Sequence, residues 1–429
     1  MALGVEYGAK YTLTGPDGTI AVFNDSTSPN FVGILSPESS GLDSPDVRED
    51  AQERTEEDGG IHGNFYYGRR PVVLQGTIIA SSATQRAERI EKLTRATNAL
   101  RGDATLKWKP TGASSEVELK LRRQQPLRIT KGFVKDFQAA MVSANAEIMS
   151  TTLKTLNSGA SVEKFPSEVV NAAGEGSIAW TNPGNAKTSN DVRASAALTP
   201  STISNHLKAT SYGFTFPASA RIMVMTAVIE AKAETETATL RAVKSVKAGV
   251  ISGVESKPGT ALFVAGGDTQ LGAEVPVNGA ITKTEAENAG FGVAIVFEDK
   301  SGSKASTVLV DALSLFIEYT VPIEPENAGD AESDFVAVLT GLKGGETAGD
   351  VELINETTGQ KLVIEESLFP KGETITIDSK NKTIIHSTLG NIYSKLDFAN
   401  SDWFKLPPGK TKISCPSAKL ELKYRDTWI

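Results

Sequence analysis

Leu389–Cys415 reads LGNIYSKLDFANSDWFKLPPGKTKISC. It sets a polar, aromatic turn, SDWFKLPPGK, between flanks that both read as β-strands, and the reading of that turn decides the fold of the C-terminal part. Pro407 presets its backbone angle and Gly409 accepts a positive one, so Pro407-Pro408-Gly409 is a rigid turn between strands. Trp403 and Leu406 are expected to fold back over a sheet edge while Asp402 and Lys405 stay in water. The stretch is read as a structural turn capped by an aromatic, not as a binding site.

Working outward, DFVAVLTG, GDVELINETTGQKLVIEE, GETITIDSKNKTIIHS and SAKLELKYRDTWI alternate apolar and polar residues, with TTGQ and DSKNKT as hairpin turns. They make residues 323–429 one all-β domain, preceded by a linker at Pro322 and IEPENAGDAE. Residues 165–322 are again all-β: YGFTFPASARIMVMTAVIEAKAE, TATLRAV, GVAIVFED and ASTVLVDALSLFIEYTV are strand-like runs between turn residues, which suggests a sandwich or jelly roll. Residues 149–164 read as a connecting strand and junction.

Residues 1–148 combine strands with one helix. KYTLTGPDGTIAVF is a hairpin turning at Pro16-Asp17-Gly18. Asp43–Gly60 is strongly acidic with almost no apolar period and is expected to be a long exposed loop. Arg69–Ile79 is a β-branched strand. Then the period changes: Ile90, Leu93, Thr97 and Leu100 fall on one helical face, Ser82 and Gln85 have capping-box spacing, and Gly102 can close the helix. It is the only strong helix signal in the chain. The strands that follow, ATLKWKP, SEVELKLRRQQPLRI and KDFQAAMVSANAEIMS, complete a β-sandwich with one helix.

The 429 residues carry a net charge of -8, which argues against a nucleic-acid backbone as the main partner because that needs clustered Lys and Arg. One cysteine, Cys415, excludes an internal disulfide framework and a Cys-based zinc site. The start MALGVEYGAK has no signal-peptide pattern, and no run approaches the roughly 20 apolar residues of a membrane helix. His62, His206 and His386 lie in three different segments without companion ligands and read as polar surface residues. Gly409-Lys410-Thr411 lacks the first glycine of a phosphate loop, since Phe404 stands there. No metal, cofactor or catalytic constellation emerges, which leaves binding or assembly.

The order of the pieces resembles the distal tail protein family of long non-contractile-tailed phages. The resemblance is carried by YYGRRPVVLQGTI, the helix QRAERIEKLTRATNALRG, and the closing NETTGQKLVI, GETITID, SDWFKLPPGKTKI and AKLELKYRDTWI, and it covers roughly residues 1–156 and 326–429. It implies an N-terminal domain that closes into a homo-hexameric ring and a galectin-like C-terminal sandwich. It also implies a non-enzymatic hub at the distal end of a virion tail, with the tail tube protein, the tape measure protein and tail-tip or receptor-binding proteins as partners. The block 165–322 is an insertion similar to jelly-roll, carbohydrate-binding-module-like domains, which implies host cell-surface polysaccharide as a further partner.

On that reading the glycan candidates are Trp180, Asn182, Asn185, Asp191 and Tyr212, in the polar stretch opening the insert, while Phe214, Phe216, Phe291, Phe297 and Phe316 belong to its core. Arg69, Arg70, Arg86 and Arg89 are the ring-interface candidates, able to pair with a neighbour's acidic loop in a head-to-tail contact. Two other classes stay open: a free carbohydrate-binding or adhesion protein, and a tail-tip depolymerase with scattered carboxylates.

Overall fold

In the computed structural model the first hairpin forms as its turn chemistry requires, Tyr11–Thr14 pairing with Ile20–Phe23 and Gly18 taking a positive φ of 80°. The structure describes residues 9–429 except 43–46, 50–51, 54–59, 62–64, 68, 112, 114, 131–134, 144–146, 235–236, 263–267, 277–280, 301–303, 343–349 and 366–368.

The N-terminal sheet runs in the order Arg128–Ile129, Lys135–Ser143, Arg70–Ile78, Phe31–Leu35, Ile20–Phe23, Tyr11–Thr14, Ala104–Trp108, Val117–Arg123, Ile148–Ser150, Thr427–Trp428. Val117–Arg123 also pairs with Lys135–Ser143, so the sheet closes on itself around a core of Tyr11, Phe23, Leu74, Trp108 and Phe137. Gly33 and Gly76 permit the tight approach of two of these strands, for a Cβ on either would stand 2.1 or 2.2 Å from a carbonyl oxygen of the other.

Helix Ala83–Ala96 packs Leu93 and Ala96 into this core, and Ser82 caps it by accepting from the Gln85 N–H. It ends at Ala96, before the expected Gly102. A separate 3-10 turn, Ala99–Arg101, follows, and Leu100, expected on the buried face, is almost fully exposed. The acidic stretch expected as a loop lies partly outside the described residues, and the rest pairs: Val47–Glu49 with Phe65–Tyr67, and Gln52–Glu53 with Gly60–Ile61. A short helix that the sequence reading missed, Lys283–Glu287, carries its own capping box, Thr282 with Glu285.

The segment 149–164 is divided among three sheets. Ile148–Ser150 ends in the N-terminal sheet, Lys154–Asn157 is the edge strand of the C-terminal sheet, and Gly159–Lys164 pairs with Ser306–Thr320. Buried Ser158 joins the last two: its N–H donates to Leu420 O, its Oγ accepts from Leu420 N–H, and its carbonyl accepts from Val321 N–H.

Two facing sheets then enclose a separate core. One contains Gly159–Lys164, Ser306–Thr320, Arg221–Ala233, Thr269–Glu274 and Ala194–Leu198; the other contains Glu168–Ala172, His206–Thr210, Gly292–Asp299, Ala238–Lys247, Val250–Ser256 and Thr260–Leu262. A third core lies beneath Lys419–Tyr424, Phe335–Thr340, Thr374–Asp378 and Thr383–His386 on one side and Lys361–Ile364, Val351–Asn355 and Ile413–Ser414 on the other. In the opening stretch Leu406 is buried, Phe404 packs against Phe335 at 5.2 Å, and Gly409 takes the positive φ of 88° that its turn needs. Lys405 is half-buried against Asp334 at 3.0 Å, where the sequence reading left it in water.

Candidate functional site

The helix presents its outer flank to the loop Gly18–Thr19 and to Pro29–Phe31, leaving a groove of about 540 Å³ between them. Its cations are ordered by short contacts. Arg89 lies over the Phe31 ring at 5.0 Å, Lys92 Nζ donates to Asn30 Oδ1 at 3.0 Å, and Arg95 pairs with Asp17 at 3.2 Å. Hydrogen bonds from Thr19, with Arg95 adding to them, hold the Asp17 carboxyl at about 2, so it stays ionised under the arginine. The groove is therefore a charged, pre-organised surface on the N-terminal domain.

Of the four arginines expected at a subunit contact, Arg86 and Arg89 lie on this helix, both partly exposed. Arg70 does not qualify: its side chain is fully buried and donates to Gly41 O at 3.2 Å. Arg69 is exposed and stands before the nine-residue strand Arg70–Ile78, outside the helix that carries Arg86 and Arg89. Two adjacent arginines at a strand end point to opposite faces, and here one face is core.

In the insert, burial redistributes the expected glycan residues. Trp180 is 5% exposed, donates from Nε1 to Asn205 O and packs edge-on to Phe297; Tyr212 is 4% exposed and donates to Leu313 O. Neither ring offers a free face. Asn182 is exposed in a left-handed conformation, and Asn185 is half-buried with Nδ2 donating to Arg193 O. Exposed Asp191 pairs with Arg193, which also holds Asp268. Asp311, buried, accepts the N–H groups of Asn190 and Asp191. The carboxylates of Asp191, Asp268 and Asp311 converge within 4.8 Å, but the Arg193 guanidinium occupies two of them and is itself held charged by that contact. The cluster pins the 190–193 loop to the sheet.

Sequence reasoning missed an ion-pair network on the outer face of the second sheet. Glu175 contacts Lys244 at 2.8 Å and Arg241 at 2.9 Å; Arg241 reaches Glu298 at 3.0 Å, and Lys244 reaches Glu255 at 3.3 Å. His206 lies beneath it, 3.6 Å from Glu175, and burial together with the Lys244 charge pushes its pKa down. His386 is buried too, 3.3 Å from Glu373, so neither described histidine is the surface residue that a strand-end position suggested; His62 lies outside the described residues. The signal for this network was the row of charges facing outward along alternating strands, which only the strand pairing brings into contact.

The C-terminal domain is tied to the N-terminal one by the end of the chain. Thr427–Trp428 pairs with Ile148–Ser150, Trp428 enters the N-terminal core, and Asp426 is buried against Lys154 Nζ at 2.6 Å. Residues 329–428, which comprise this domain and its returning strand, match the family model of the siphovirus-type tail component, C-terminal domain.

No curated protein matches the chain. Among solved structures, the chain is similar over nearly its full length to the Dit protein of phage SPP1, described as a paradigm of the hub adsorption apparatus in phages that infect Gram-positive bacteria. That match has 7% identity and a TM-score of 0.44, covering 98% of this chain and 99% of that one. It is also similar to a chain of the phage p2 baseplate in its activated conformation with Ca, at 10% identity and a TM-score of 0.36, with 97% of each chain covered.

Proposed function

We propose that this chain is the structural hub of a siphophage tail tip, a homo-hexameric ring at the distal end of the virion tail. In this role it joins the tail tube protein to the tip, surrounds the tape measure protein and holds the receptor-binding proteins, without catalysing a reaction. The observation that carries this reading is the tail-component match over residues 329–428. The helix flank carries Arg89, Lys92 and Arg95 together with Glu88 and Glu91, and this mixed charge supports a polar contact between copies in which the acidic stretch Asp43–Gly60 of a neighbour meets the arginines. The insert is an outward extension of this hub. Of its expected glycan residues Asn182, Asn185 and Asp191 keep contact with solvent, so a host polysaccharide held there would meet a polar edge and no ring face.

Sedimentation velocity of the full chain over a concentration series tests the reading. A species near six times the 45.4 kDa chain supports the ring. A monomer at every concentration, including in the presence of the tail tube protein, would overturn it in favour of a free adhesion protein. Release of reducing ends from host polysaccharide would revive the depolymerase.

A further inference from the structure

The C-terminal domain presents an aromatic residue that its core does not use. Phe398 is 63% exposed, yet it sits in a tightly hydrogen-bonded turn: Asp397 Oδ1 accepts from the N–H groups of Ala399 and Asn400, and its Oδ2 accepts from Asn400 Nδ2 at 2.6 Å. That turn is in turn stitched to the strand Lys361–Ile364. Asp397 N–H donates to Val363 O, Asp402 N–H donates to Lys361 O, and Val363 N–H donates to Ser401 Oγ. The backbone that carries the ring is thus already ordered, so binding there has less freedom to remove.

Phe398 does not stand alone. Its ring meets Tyr393 edge-on at 5.6 Å, and Tyr393 lies nearly parallel to Trp403, 15° between planes at 6.4 Å. At that separation parallel rings are offset sideways and do not cover each other. Tyr393 and Trp403 rest on the domain core and remain partly exposed, so three contiguous rings reach the surface.

We propose that Tyr393, Phe398 and Trp403 form a stacking subsite for the pyranose rings of a neutral polysaccharide. The exposed side chains beside the rings in sequence, Ser394, Asn400 and Asp402, are short and polar. A protein partner needs about 800 Å² per side around an apolar centre, more than these rings supply. A pyranose matches them: its C–H face covers one ring, and its hydroxyls meet amide, hydroxyl and carboxylate groups at the rim. The exposed Asp402 carboxylate beside Trp403 favours a neutral over an anionic glycan. The subsite lies outside the insert and does not depend on it.

The test is saturation-transfer NMR and tryptophan fluorescence of the full chain with neutral hexasaccharides of glucose, galactose, rhamnose and N-acetylglucosamine. At least one should bind. Phe398→Ala should weaken that binding tenfold or more, while Phe398→Tyr keeps it within threefold, and both variants should sediment like the parent, so the hub reading is judged separately. No transfer from any of the four, or binding that Phe398→Ala leaves unchanged, overturns the subsite. Loss of a tail protein's binding in Phe398→Ala, without transfer from any sugar, assigns the rings to a protein partner instead.

Discussion

The Arg425 guanidinium lies 2.7 Å from the Glu118 carboxylate, joining residues 307 positions apart in the chain. Glu118 belongs to the N-terminal sheet and Arg425 follows the last long strand of the C-terminal domain; the same guanidinium donates to Ser150 O at 3.2 Å. Two residues later the chain becomes a strand of the N-terminal sheet. The pair therefore marks where one domain hands its backbone to another.

Trp428→Ala should destabilise the N-terminal domain, although the residue is distant in sequence. Emptying a buried tryptophan site costs about 3–5 kcal/mol, and Trp428 is 8% exposed in that core. Amide hydrogen exchange of the strands Tyr11–Thr14 and Ala104–Trp108 in the parent and the Trp428→Ala chain checks this; unchanged protection would show that the returning strand is not integral.

Removing the helix cap separates local from global effects. Ser82→Ala leaves the Gln85 N–H without its acceptor and should cost about 1 kcal/mol. Ser82→Asp should restore most of the loss in a thermal melt.

Charge reversal tests the proposed contact between copies. Arg86→Glu with Arg89→Glu should shift sedimentation from the large species toward monomer while the fold is kept, since both side chains are partly exposed. Arg70→Glu should instead unfold the domain, because it would place an uncompensated charge in a fully buried site. Circular dichroism distinguishes the two outcomes.

Trp180→Ala should be a stability variant, not a binding variant. It removes a buried indole and the bond to Asn205 O, a loss of about 3–5 kcal/mol. Calorimetry should show a lower melting temperature for the insert, whatever ligand is present.

The insert should weaken on mild acidification. His206 has its folded pKa pushed below 6.5, so the unfolded chain binds the proton more readily and stability falls as pH drops below about 6.5, by at most about 1.4 kcal/mol per pH unit. Glu175, Lys244 and Glu255 surround it; the folded pKa of each of these two glutamates lies below 4.5, so their own losses begin at lower pH. Urea midpoints at pH 7.5, 6.5 and 5.5 should fall in the parent and stay level in His206→Gln.

Much of the fold was legible because the features that mark it are local. Alternation identified the strands, Pro16-Asp17-Gly18 and Pro407-Pro408-Gly409 identified their turns, and Ser82 with Gln85 identified the helix start. The helix end was misplaced because Leu100 continues the apolar period while the backbone has already turned at Asn98. Of the candidate sites, residue type alone selected Trp180, Tyr212 and Arg70, and burial then removed all three from the surface. Phe398 had the opposite history, an ordinary aromatic in the sequence that the Asp397 turn holds in water.

By itself, then, the sequence determined an all-β chain with one strong helix and the turns that punctuate it, since these follow from backbone preferences within a few residues. Only the tertiary structure decided that Thr427–Trp428 completes the first sheet, that Ser158 joins the sheets on either side of it, and that Glu175, Arg241, Lys244 and Glu298 form one network. A period of two fixes which face of a strand is apolar and leaves open which strand lies beside it. That choice is made by the total apolar area buried and by every polar group finding a partner, quantities summed over residues hundreds of positions apart.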